Sequence, residues 1–180
     1  VEAGLPYLYP SMEKGWLAVV AVDNTNTIAS YSNRCGVAAN WCIAAPGDYT
    51  FYSSSVSGQG TSYAAPTVTA TAALIKQKYE WMNGDLIRQT ILSTADDIGA
   101  SGVDTVYGWG LLNVSKAING PALFDKRLAL GSYVNVNFDD VTSTFSNNIG
   151  GDAGLIKNGT GTLILSGTST YSGLTKINGG

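Results

Sequence analysis

With 180 residues, 44% of them hydrophobic and only 13% charged, the chain reads as one folded domain with room for the start of a second. A net charge of −3 without a basic stripe argues against nucleic-acid binding, and the apolar run over residues 17–22 is far too short to span a bilayer. The chain has no His, so neither His general-base chemistry nor His metal ligation can be completed by these residues alone.

Residues 17–22 (Leu-Ala-Val-Val-Ala-Val) stop at the turn-prone Asp23-Asn24, the pattern of a strand buried on both faces of a parallel sheet. Ile43-Ala44-Ala45 is a second short apolar stretch, ended by Pro46-Gly47. Residues 53–60, rich in Ser and Gly, read as loop. Residues 63–75 carry no charge and are dominated by Ala, Thr and Val. Their length, Ala65, Ala70, Ala72 and Ala73, and the terminal Lys76-Gln77-Lys78 predict a helix, because cations suit the negative end of the helix dipole. Pro66 is expected in its first turn, where a missing N–H costs little. Being apolar all round, this helix should lie at the centre of a domain.

Asn83 is placed to cap a second helix over residues 84–95, with Leu86, Ile87, Thr90, Ile91 and Ala95 on one face. Gly108-Trp109-Gly110 makes a bend, and residues 114–118 supply one or two further helical turns. Strand, helix and helix in this order fit half of an α/β domain. After Pro121 the composition changes. Thr162-Leu163-Ile164-Leu165-Ser166 and Leu174-Thr175-Lys176-Ile177 read as short strands between glycine turns, and a boundary is expected near residues 121–128.

Cys35 and Cys42 have six residues between them and form no Cys-x-x-Cys motif. Two cysteines make a poor zinc site, and a disulfide closing a short loop, formed in an oxidising compartment, is the preferred reading. The alternative is a pair of buried free thiols.

The segment richest in chemistry is Gly58-Gln59-Gly60-Thr61-Ser62-Tyr63-Ala64-Ala65-Pro66. It delivers Ser62 from a glycine loop to a helix start, where unpaired N–H groups and the positive end of the helix dipole would stabilise developing negative charge. The plain alternative is a Ser/Thr helix cap.

Gly-Thr-Ser-x-Ala-Ala-Pro resembles the nucleophile signature of subtilases, the subtilisin-like serine peptidases. The likeness extends upstream through residues 17–22, Ile28-Ala29-Ser30-Tyr31-Ser32-Asn33 and Ala44-Ala45-Pro46-Gly47. Downstream it continues through residues 86–95 and Tyr107-Gly108-Trp109-Gly110, with Asn113 and Ala117, and so covers about residues 1–120. The resemblance implies the C-terminal half of a three-layer α/β domain with a parallel sheet. It makes Ser62 the nucleophile and the Ser62 backbone N–H one oxyanion-hole donor. The family's Asp, His and oxyanion Asn precede this stretch, consistent with the triad order Asp, His, Ser. Asp23, Asp48, Asp96 and Asp97 are read as turn or helix-end carboxylates, and Asn33 and Asn40 as loop residues.

Cys35 and Cys42 around this loop, together with Leu155-Ile156-Lys157-Asn158-Gly159-Thr160-Gly161-Thr162 and Thr170-Tyr171-Ser172-Gly173, resemble subtilases of bacterial autotransporters, whose passengers form parallel β-helices. The alternative for this tail is a generic Gly/Ser-rich segment. The implied organisation is a protease part over residues 1–124 and the start of a β-helix over residues 125–180. The implied activity is serine-type endopeptidase action on proteins or peptides, at the bacterial cell surface or outside the cell. The upstream part of the same domain would be its partner, with no membrane contact by these residues. The chain opens on Val1 without a targeting segment, so it is expected to be a fragment that is inactive alone. No cofactor and no metal are expected, since no clustered Asp/Glu loop suits calcium, and the Asn-x-Ser/Thr triplets at Asn113 and Asn158 are taken as coincidental. The competing reading is a structural or adhesive passenger with a non-catalytic protease-like domain.

Overall fold

The computed structural model describes residues 2–51 and 56–180. A 3-10 turn (Glu2–Gly4), helix α1 (Leu5–Leu8) and a second 3-10 turn (Pro10–Gly15) lead into β1 (Ala18–Val22). A third 3-10 turn (Gly36–Trp41) precedes β2 (Cys42–Pro46), β3 (Asp48–Phe51) and β4 (Val56–Gln59). Helices α2 (Thr61–Lys78), α3 (Gly84–Ser93), α4 (Val114–Ala117) and α5 (Lys126–Ala129) follow. The last strands are β5 (Tyr133–Asn137), β6 (Thr142–Phe145), β7 (Gly154–Asn158), β8 (Thr162–Leu165) and β9 (Thr175–Ile177). The chain forms two compact units, Val1–Thr71 with Ala95–Leu112 and Ala72–Thr94 with Asn113–Gly180.

In the first unit β1 and β2 pair in parallel, Ala18 opposite Cys42 and Val22 opposite Pro46. Ala18, Val20, Ala21 and Val22 are buried, as are Cys42, Ile43, Ala44 and Ala45. Consecutive strand residues point to opposite faces, so both faces of the pair are covered, as the unbroken apolar runs predict. The bend after Tyr107 runs beside β2. The Trp109 N–H donates to the Cys42 carbonyl at 3.0 Å, and the Ala44 N–H donates to the Gly110 carbonyl at 2.8 Å. A side chain at Gly108 would strike that same Cys42 carbonyl, and its φ of +64° suits glycine. Cys35 and Cys42 are joined in a disulfide that closes the 3-10 turn between them.

Several expectations are corrected. Residues 56–59 are not loop but strand β4, paired antiparallel with β3 so that Asp48 faces Gln59; residues 53–55 of that expected loop lie outside the described residues. Ser and Gly weaken strand propensity, but the ladder with β3 supplies the hydrogen bonds that propensity does not. Helix α2 starts at Thr61, which moves Pro66 from the first turn into the helix interior. Only the stripe of Ala64, Val68, Thr71 and Ile75 is buried, so α2 is covered along one face and not all round. Its threonines are accommodated by back-bonding, Thr69 Oγ1 to the Ala65 carbonyl at 3.1 Å and Thr71 Oγ1 to the Thr67 carbonyl at 2.9 Å. Asp48 lies on strand β3 rather than in a turn, and Asn40 in the short 3-10 helix Gly36–Trp41 rather than in a loop.

In the second unit the Asn83 side chain caps α3 by accepting from the Leu86 N–H at 2.9 Å. That helix ends at Ser93, two residues earlier than expected. Besides its apolar face it buries Arg88, whose guanidinium meets Asp85 Oδ1 at 2.9 Å and also donates to the Leu128 carbonyl. The last strands pair in parallel: Tyr133 with Gly154, Leu155 with Thr175, and Thr142 with Thr162. Their inward residues Val134, Val136, Phe145 and Leu155 are buried, as is Ile149, which bridges to Ser169. Trp81 stacks on Phe138 at 4.3 Å between ring centroids, and Tyr79 meets Phe145 edge-on at 5.6 Å. Lys157 Nζ caps the Asn158 and Gly159 carbonyls at 2.7 and 2.9 Å.

Candidate active site

Ser62 is the second residue of α2 and is exposed. The N–H groups of Thr61 and Ser62 precede the first bond of the helix and have no i−4 carbonyl to serve. The Tyr63 N–H is already used, donating to the Gly60 carbonyl at 3.0 Å. Pro66 has no N–H to offer the Ser62 carbonyl four residues earlier, so that helical bond is missing. The side chain therefore stands at the positive end of an 18-residue helix, where an oxyanion is favoured.

Three glycines shape the approach to Ser62. The Gly60 N–H donates to the Gly47 carbonyl at 3.0 Å, tying the loop before Ser62 to the turn after β2. At Gly47 an added Cβ would lie 2.5 Å from the Ala21 Cβ and 2.6 Å from Tyr31 Oη, so this crossing needs glycine. At Gly58 a Cβ would lie 2.6 Å from the Tyr63 ring. Tyr49 packs against Tyr63 at 6.1 Å between ring centroids and shares a hydrogen bond with Thr67.

Next to this crossing the Tyr31 hydroxyl donates to Asp48 Oδ1 at 2.6 Å. Desolvation, that hydrogen bond and the charge of Asp48 push the Tyr31 phenol up to about 12, against a smaller opposite pull from the Gly60 backbone. Tyr31 therefore remains a donor through the neutral range. Asp23, read as a turn carboxylate, accepts from the Thr25 and Thr27 N–H groups at 2.8 and 3.1 Å, and its carboxyl is held below the usual value by the bond from the Thr25 hydroxyl and by those two backbone bonds.

On the other side of Thr61 lies a cleft of about 750 Å³. The β1 residues Ala18, Val19 and Val20 line it together with the disulfide cysteines and Asn33. The structure thus brings Thr61 and the Cys35–Cys42 loop to one cleft. Sequence reasoning missed Tyr31, Gly47 and Asp48 as supports of the Ser62 loop. The Pro46-Gly47-Asp48 turn was visible, but nothing in the spacing pairs Asp48 with a tyrosine 17 residues earlier.

The Subtilase family model matches residues 1–110, and the passenger-associated-transport-repeat model matches residues 155–180. The neisserial autotransporter lipoprotein NalP of Neisseria meningitidis is 40% identical over 98% of this chain and 18% of its own length. An extracellular serine protease of Serratia marcescens is 30% identical over 99% of this chain and 23% of its own length. Among solved structures, that of the patellamide maturation protease PatA superposes with a TM-score of 0.50 and 27% identity, over 73% of this chain and 46% of that one. The chain therefore spans about a fifth of the length of these two relatives. With the Gly-Thr-Ser motif at the head of α2, the parallel β1–β2 pair beside it and a family match over most of the chain, this chain belongs to the subtilase family and carries its α/β fold.

Proposed function

We propose that this chain is the nucleophile-bearing part of an exported serine endopeptidase that hydrolyses protein or peptide substrates through an acyl-enzyme on Ser62. The observation that carries the reading is the exposed Ser62 in the first turn of α2, in a chain that belongs to the subtilases. In the reaction the Ser62 hydroxyl attacks the scissile carbonyl while a base takes its proton. The Ser62 N–H donates to the oxyanion, and collapse of the tetrahedral intermediate expels the amine, which takes the proton from the base; water, deprotonated by the same base, then cleaves the acyl-enzyme to release the acid and restore the Ser62 hydroxyl. This chain contains no His, so the base comes from residues outside it, and the family's triad order Asp, His, Ser puts the carboxylate that orients it there too; these residues alone are inactive. Export accords with the disulfide, with the autotransporter and extracellular relatives and with the repeat match.

Within this reading residues 1–124 form the protease part and residues 125–180 begin a parallel β-helix. The in-register parallel pairing of β5 with β7 and of β7 with β9 supports the β-helical part of that reading. Replacing Ser62 by Ala in the protein that carries this chain tests the nucleophile. Loss of a triad serine costs on the order of 10⁶ in turnover, a figure that comes from subtilisin, itself a member of this family, whereas the fold should change by no more than ~1 kcal/mol. Casein cleavage by the Ser62→Ala protein near the unsubstituted rate would end the assignment.

A further inference from the structure

We propose that Tyr31 and Asp48 act together as a latch that positions Ser62, so that Tyr31 is a positioning residue for the peptidase reaction. The proposal rests on Ser62 being the nucleophile. It starts from a contact that the core does not need: Tyr31 is 37% exposed, and Asp48 lies at the start of β3. Their hydrogen bond of 2.6 Å nonetheless lies where two loops cross. Tyr31 Oη sits against Gly47, close enough that a Cβ there would be 2.6 Å away.

Gly47 accepts from the Gly60 N–H at 3.0 Å, and two residues after Gly60 comes Ser62. The chain of contacts therefore runs from phenol to carboxylate, across the Gly47–Gly60 bond, to the first residues of α2. Both ends of the latch are anchored. Ser32, the neighbour of Tyr31, is buried and fastens its segment to β1 by accepting from the Ala21 N–H at 2.9 Å. Asp48 is held through its own ladder, opposite Gln59. The loop before Ser62 is joined to Gly47 by a backbone bond, and the Tyr31–Asp48 bond holds the residue next to Gly47 to the segment that Ser32 fastens to β1, which limits how far that turn, and the loop bonded to it, can slide.

The latch acts on placement and not on binding, which separates it from a merely structural role. In the protein that carries this chain, kcat and KM on a peptide substrate and the rate of Ser62 labelling by a fluorophosphonate are measured for four variants. Tyr31→Phe keeps the ring and removes the donor; it should lower kcat and labelling on the order of tenfold with little change in KM, since displacements of a fraction of an ångström at a reacting atom act on turnover. Asp48→Ala should do the same, and it carries the test if Tyr31→Phe fails to fold. Asp48→Asn, which retains a carbonyl acceptor for the phenol, should recover most of the rate lost in Asp48→Ala. Ser62→Ala is the fourth. Unchanged kcat and labelling in Tyr31→Phe and Asp48→Ala, with Ser62→Ala inactive, would overturn the latch and leave the nucleophile standing. Full turnover by Ser62→Ala would overturn both. An Asp48→Asn variant as impaired as Asp48→Ala would show that charge, not the hydrogen bond, matters, and would also overturn the proposal.

Discussion

Gly47→Ala would perturb the crossing that leads to Ser62 by pure sterics. The new Cβ would lie 2.5 Å from the Ala21 Cβ and 3.1 Å from the Gly60 carbonyl oxygen. Carbon atoms in contact prefer about 3.5–4.0 Å, so roughly 1 Å of separation has to be found. Ala21 is fully buried and paired with Ala45 across β1 and β2, so it cannot withdraw. The movement falls on the Gly47–Gly60 side. Overpacking of this kind costs about 1–3 kcal/mol, and loss of the Gly60 N–H bond to Gly47 adds about 1 kcal/mol. The expected loss of stability is therefore about 2–4 kcal/mol by these two contributions. A displacement near 1 Å at the nucleophile lowers turnover on the order of 10²-fold. Urea unfolding and peptidase kinetics on the protein that carries this chain measure both. Gly84→Ala is the control, because a Cβ there meets nothing within 4 Å and a strain-free Gly→Ala change is neutral or stabilising. If Gly47→Ala matches Gly84→Ala in unfolding midpoint and kcat, the crossing does not position Ser62 and the steric reasoning fails.

Cys35 and Cys42 should resist alkylation until reduced, as read by intact mass, and reduction should cost about 2–3 kcal/mol for so short a loop; ready alkylation of the unreduced protein would contradict the bridge. Asp125 gives a pH prediction: burial pushes its carboxyl up, but hydrogen bonds from the Arg127 side chain and N–H outweigh this and hold it below 3.8. A depressed folded-state value means the unfolded chain binds the proton first, so this stabilisation is complete above about pH 4 and lost as pH falls through the folded-state value. Asp125→Asn, which keeps the helix cap but not the charge, should flatten the fall in urea midpoint below about pH 4; an identical fall in both proteins would refute the linkage.

Local chemistry was legible in the sequence because it is written in neighbouring residues. The unbroken apolar run over residues 17–22 appears as β1, buried on both faces. Asn83 caps α3 through a bond to a residue three positions on, and the Gly-Thr-Ser motif marks the head of α2 because loop, turn and helix start are consecutive. The short Cys35–Cys42 spacing pointed to the bridge for the same reason. The tertiary structure decided what depends on distant partners. Residues 56–59 are a strand only because β3 lies opposite them. The uncharged face of α2 is buried along one stripe because burial depends on which neighbours reach it, not on composition. Arg88, which the helical pattern would leave outside, is buried because Asp85 and the carbonyl of Leu128, 40 residues away, receive its guanidinium. Tyr31 meets Asp48 across 17 residues for the same kind of reason. Hydrogen bonds within one turn follow from residue order, while those between elements follow from packing that brings chemically matched groups together, and no local spacing encodes that meeting.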